Sequence, residues 1–242
     1  MKGAAIWAKD RGTWFYLGAA IIGLCATIVG FHLTYTRPVV TGTYEGPWWG
    51  HIHGALSMAW ILLTIVQSWL APRKLKLHRT LGWAALGVIP LWFASTVMIA
   101  REFGTMEIAA GRTDNAMNNI GGAIASPLVV MLMIGLAIWF RKKPQAHKRL
   151  IFIGTVVMLW PSWSRWRHWF PDPDAVDQLF AFFIALAWIP LAMLRDKVKF
   201  GTVHPALLWG GLFVLAEQSY EVLAHGTPYW TPFSHLMYRW IM

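Results

Sequence analysis

Glu217, Glu221 and His225 follow one another at four-residue intervals through the last long apolar stretch, residues 206–223, and just beyond it. On a helix this spacing sets all three along one face, drifting by about 40° per step. A carboxylate in hydrocarbon costs at least ~2.5–3.5 kcal/mol, so it persists where it faces protein and has a partner. The two glutamates therefore point to a working site. Counting about 1.5 Å of rise per residue from the basic ends of the apolar segments puts Glu217 at roughly 18 Å, Arg165 at roughly 22 Å and Glu221 and His53 at roughly 24 Å. Three segments thus contribute ionisable groups to one layer.

Histidines and carboxylates in such a layer can ligate a transition metal, Fe, Cu or Zn; non-haem iron in particular takes two histidines and a carboxylate. The metal-ligand candidates are His51, His53, Glu221 and His225. Arg165 and Glu217 are the candidate catalytic pair, orienting a substrate or the groups behind the ligands. His51 and His53 both reach one ion only if their helix starts at or after His53, because positions two apart face different ways. Two other arrangements use the same residues. Arg165 can pair with Glu217 while His53 bonds Glu221, fixing the helix packing without an ion, or the chain of groups can carry protons.

A second group of histidines recurs where apolar segments begin. Leu77-His78-Arg79-Thr80-Leu81-Gly82 follows a basic loop, Ala146-His147-Lys148-Arg149-Leu150 repeats the pattern, and Val203-His204-Pro205 echoes it. Such His-Arg steps solvate helix ends and lipid phosphates. They also suit a haem b, with His78 and His147 as the cofactor-binding ligands and Arg79 and Arg149 beside its propionates.

What must position these residues is a set of membrane helices. Of 242 residues, 57% are hydrophobic and 13% charged. Long apolar runs recur at residues 14–33, 49–70, 81–100, 120–140, 150–170, 179–194 and 206–223. This predicts an all-α polytopic bundle of about seven transmembrane helices in a single domain spanning residues 1–242. Residues 101–119 read as a longer outer loop. Residues 226–242, with Tyr229, Trp230, Phe233, Tyr238 and Trp240, read as an interfacial tail.

Fifteen of the 21 cations fall on the side of the N-terminus, from Lys2 through the loop at residues 141–149 to Lys199. The positive-inside rule then puts the N-terminus in the cytoplasm and the C-terminus outside. The net charge of +10 is a property of that inner face, an anionic-lipid contact and not a nucleic-acid footprint. The first apolar run is long enough to stay as a span, so no cleaved signal peptide is expected. Cys25 is the single cysteine, which excludes an intrachain disulfide and a cysteine-based cluster. No span carries a mid-membrane lysine for a retinal Schiff base, and no phosphate-cradling glycine motif is present.

His51-Ile52-His53-Gly54 with Trp60 and Gln67, Leu77-His78-Arg79-Thr80-Leu81-Gly82-Trp83, His147-Lys148-Arg149-Leu150, and His204-Pro205 with Leu208-Trp209-Gly210-Gly211 together resemble a group of uncharacterised bacterial integral membrane proteins. The resemblance runs from the second apolar segment onward and implies the fold and a bacterial inner (cytoplasmic) membrane, with no activity attached. A weaker likeness to the cytochrome b561 group lies in a span that starts with His53 and includes Met58, followed by a basic loop with a histidine. That group carries haem histidines on four successive helices, whereas the fourth span here has none.

The reading at this level is an inner-membrane protein with an outward-facing His/Glu/Arg site that binds a metal or haem and performs redox chemistry on a lipophilic, quinone-like molecule. Trp48, Trp49, Trp160, Trp163, Trp166 and Trp169 would wall its cavity. The rival is a non-enzymatic subunit of a membrane complex, or a small-molecule or proton transporter. Membrane lipids are partners in either case.

Overall fold

The computed structural model describes residues 13–242. Lys2, Lys9, Arg11 and the expected cytoplasmic N-terminus lie outside the described residues. The described chain is helical throughout, with no strand. Helix α1 (Thr13–Phe31) passes through a π-turn at His32–Thr36 into α2 (Arg37–Thr41). There follow α3 (Trp49–Leu70), α4 (Leu75–Gly82), α5 (Ala85–Ala109), α6 (Thr113–Trp139), α7 (Pro144–Met158) and α8 (Trp160–Ser164). A 3₁₀ turn at Arg165–Trp169, a π-turn at Leu179–Ile184, α9 (Trp188–Phe200), α10 (Pro205–Ala224) and α11 (Thr231–Ile241) complete the chain.

Among the described residues, five helical stretches are long and apolar enough to cross a membrane: Trp14–Thr41, Trp49–Leu70, Leu75–Ala109, Thr113–Trp139 and Leu179–Phe200. The protein is thus, by length and composition, a multi-pass membrane bundle. Its outer surface agrees, since Trp14, Phe183, Trp209 and Leu223 are exposed, an arrangement that hydrocarbon tolerates and water penalises. The two remaining expected spans, residues 150–170 and 206–223, correspond to α7–α8 and α10. The first is interrupted, since α7 has 15 residues and breaks before α8, and the second is made less apolar by Glu217, Gln218 and Glu221.

Local sequence explains the ends. Pro144 and Pro205 open α7 and α10, where a missing N–H costs nothing. Gly201 closes α9 with φ of 74°, a left-handed cap that a side chain resists. Gly111, with φ of 76°, turns the chain between α5 and α6. The connection expected over residues 101–119 therefore shrinks to residues 110–112, clamped by an Arg112–Glu107 ion pair of 2.7 Å.

Helix α7 is the axis of the bundle. Every residue from Phe152 to Met158 is buried, and Ile153 meets Ile189, Leu207 and Val214 from α9 and α10 in one core. Trp60 ties α3 to this axis, donating from Nε1 to Thr155 Oγ1 at 3.1 Å. The residues expected to form an interfacial tail include α11, which docks on α6. Ser234 is fully buried there, its hydroxyl bonding to the Met117 and Asn118 carbonyls and accepting the Gly121 N–H.

Candidate functional sites at the two ends of the bundle

At the end carrying the basic loops, a cavity of about 1170 Å³ opens between α1, α3, α4 and α7. Its depth is apolar and aromatic, with Trp60, Trp163 and Trp188, and Arg79, Arg141, Lys142 and Lys148 line its mouth. His78 and His147 come together in this cavity, ring centroids 6.4 Å apart and planes perpendicular.

Each of the two rings spends one nitrogen on the protein. His78 Nδ1 lies 3.2 Å from the Gln67 carbonyl, and His147 Nδ1 lies 2.8 Å from that of Ala137. A carbonyl only accepts, so both Nδ1 atoms carry the proton and donate. The acceptors belong to the last turns of α3 and α6, so the helix-end role expected of these histidines is fulfilled. The same bonds leave each Nε2 as a lone pair, the tautomer and second-shell contact typical of metal-ligating histidine. Bonds of about 2 Å to one metal, plus about 1.1 Å from nitrogen to ring centre, separate two ligating imidazoles by about 6 Å. The observed spacing fits a haem iron between them.

Gln67 adds a second signal. Its Nε2 and Oε1 are buried in the cavity wall without a hydrogen-bond partner, a state worth about 1–3 kcal/mol per group until something fills it. Arg149, expected beside the propionates, is committed elsewhere. Its Nε and Nη2 each donate at 2.8 Å to the two oxygens of Asp196, and Nη1 reaches Gln145 Oε1 at 2.7 Å. Both members of that pair have no exposed side-chain surface. Asp196 also accepts from Arg195 and from the His204 N–H. His204 caps α10, its Nδ1 accepting the Ala206 N–H at 3.1 Å. Burial, reinforced by the Arg149 charge, holds the His204 ring down from 6.5 to about 4.

At the opposite end the expected cluster is dispersed. Helix α3 begins at Trp49, ahead of both histidines, so His51 and His53 point apart and the condition for their sharing one ion is not met. His51 Nδ1 bonds the Tyr35 hydroxyl at 2.7 Å. His53 Nδ1 meets Ser95 and Thr96, whose hydroxyls donate onward to the Trp92 carbonyl. Glu221 accepts from Ser126, which receives Gln218 Nε2, and that same amide donates to Glu217. His225 contacts Asn119. Among the described residues, no three His, Cys, Asp or Glu side chains gather closely enough to hold a metal.

Arg165 does not pair with Glu217. One guanidinium nitrogen donates to the Pro161 carbonyl at 2.8 Å, and Cζ sits 4.3 Å above the Phe31 ring. Tyr35, Tyr44 and His51 pack edge-on or tilted against one another at centroid spacings of 5.0 to 5.5 Å, and the Tyr44 hydroxyl donates to the Pro47 carbonyl at 3.3 Å. Burial and Tyr35 push the Tyr44 hydroxyl up, while the charge of Arg165 pulls it down. Sequence reasoning passed over Tyr35 and Tyr44, ordinary aromatics until tertiary contact joined them to His51. It also passed over Asp196, whose signal was its position as an acid between Arg195 and Lys197.

No family model matches the chain, and neither does any curated protein or solved structure.

Proposed function

We propose that this protein is a seven-span bacterial inner-membrane haem protein that holds a b-type haem between His78 and His147 at its cytoplasmic end and carries electrons there. The observation that carries the reading is the pair of imidazoles brought together in one cavity, each with Nδ1–H spent on a backbone carbonyl, which leaves Nε2 as the nitrogen that could ligate. When bound, such a group supplies one-electron redox chemistry. The chain's own residues do the rest. The carbonyls of Gln67 and Ala137 fix the ring orientations, Trp60, Trp163 and Trp188 exclude water, and Arg79, Arg141 and Lys142 neutralise carboxylates at the mouth. The Gln67 amide orients the carbonyl of a lipophilic, quinone-like partner.

The test is the absorption spectrum and pyridine haemochrome of the full-length protein, purified in mild detergent from cells supplied with a haem precursor. A Soret band that disappears in both His78→Ala and His147→Ala, and persists in His53→Ala, is the expected result. A folded wild-type protein without haem, or a haem lost with His53 and retained without His78, would overturn it.

A further inference from the structure

Arg165 is a part-buried cation with most of its bonding capacity unspent, at the end of the bundle away from the haem reading. A guanidinium offers five N–H donors. The protein engages it through the Pro161 carbonyl and the Phe31 ring, and among the described residues no carboxylate lies within ion-pair distance of it. A cation in such a place is expensive unless something compensates it. Arg149, on α7, shows what compensation looks like in this fold, with two carboxylate oxygens and a side-chain amide around one guanidinium.

The surroundings of Arg165 are built for one kind of group. Phe31 covers a face of the guanidinium and leaves its edge for in-plane donation. The π-turn that begins at His32 carries Tyr35 just beyond Phe31, and π-turns within helices recur at functional sites. Tyr35 is held by His51, and Tyr44 packs against both rings. Glu102 acts on Tyr44 too, and its Oε2 is buried without a hydrogen-bond partner, yet it stays outside ion-pair reach of the arginine. A planar fork of N–H donors held over a ring in this way matches two oxygens of a single oxyanion.

We propose that Arg165, held over Phe31 with its remaining donors unspent, binds an oxyanion, a carboxylate or phosphate group, from this end of the bundle. The source is either a free anion or an anionic lipid headgroup, and the test separates them. Full-length protein in phosphatidylcholine nanodiscs is titrated with acetate and with inorganic phosphate, following tryptophan fluorescence. The titrations are repeated in discs containing phosphatidylglycerol. Saturable binding of either free anion in the neutral discs identifies a soluble ligand. A fluorescence change produced only by phosphatidylglycerol identifies a headgroup.

In either arm Arg165→Gln should weaken binding at least about tenfold, with Arg165→Lys in between because it keeps the charge and loses the fork. Arg37→Gln, an exposed cation at the same end, should leave binding unchanged. Two variants that keep the arginine guard against a folding defect. Glu102→Gln should tighten binding by removing a competing negative charge, and Phe31→Leu, which removes the ring that holds the guanidinium, should weaken it. The proposal is overturned if no arm shows binding by folded wild-type protein, if Arg165→Gln binds as well as wild type, or if neither Glu102→Gln nor Phe31→Leu changes the affinity.

Discussion

Arg149 and Arg165 both lie along the path of α7, α8 and the turn that follows, the first fully buried and the second partly so, and their environments are opposite. Arg149 lies in a closed set of partners, Asp196 and Gln145, with no side-chain surface left. Arg165 has a carbonyl and a ring. The saturated arginine welds α7 to α9 and thereby holds α10, which His204 and Asp196 join to the same network. The unsaturated one is left open to a ligand. In a bundle where each buried charge is costly, the count of satisfied donors separates a structural cation from a working one. The histidines differ by grouping: His51, His53, His78 and His147 each engage Nδ1, but of the four only His78 and His147 bring their rings together in one cavity.

The strongest way to break this comparison is to remove half of the saturated pair. Arg149→Ala or Asp196→Ala should cost about 3–5 kcal/mol, because either change strands a buried charge. The double variant should cost less than the sum of the single ones. Unfolding of the detergent-solubilised protein measures this, and strictly additive losses would show that the contact is not coupled.

Close packing beneath Arg165 comes next. A Cβ on Gly30 would collide with the Ser162 carbonyl and press on Trp166, so Gly30→Ala should destabilise by about 1–3 kcal/mol. It should also perturb oxyanion binding, since it prises α1 and Phe31 away from the segment carrying Arg165. Unchanged stability and binding would mean that α1 is not held against α8. A similar loss, about 1–3 kcal/mol, is expected for Ser234→Ala, which removes the buried hydroxyl that joins α11 to the Gly121 N–H and the Met117 and Asn118 carbonyls. Faster amide exchange confined to α11 is the signature to look for, and unaltered exchange would count against its docking on α6.

Arg165→Met should cost no more than about 2 kcal/mol, the value of a ring contact and one hydrogen bond. A loss as large as that of Arg149→Ala would make Arg165 a packing element and erase the contrast. The smallest effect concerns His204. Its ring binds a proton less readily in the folded chain, about 4 against 6.5, so between these values the unfolded state binds more protons. Its contribution to stability is therefore complete above about pH 6.5 and is lost as pH falls toward 4. His204→Asn keeps a capping side chain and should flatten this part of the stability-versus-pH curve. An equal acid slope in both proteins would remove His204 as its source.

How far the sequence carried depends on the range of the interaction concerned. Apolar period and length are local properties, so the helical class was legible throughout, and the segment at residues 49–70 matches α3. The ends of α5 and α6 were not, because their polar outer turns carry no hydropathy signal and yet continue as helix. Charge placement showed where the cations gather, and the repeated His-Arg steps marked His78 and His147 as equivalent positions. Depth counting put His53, Arg165, Glu217 and Glu221 at one height, but height is one coordinate of three. The azimuth around each helix and the order of helices in the bundle are fixed by side-chain packing between distant segments. That packing sent Arg149 to Asp196, left Arg165 over Phe31, and set two imidazoles at right angles in the cavity between α3, α4 and α7.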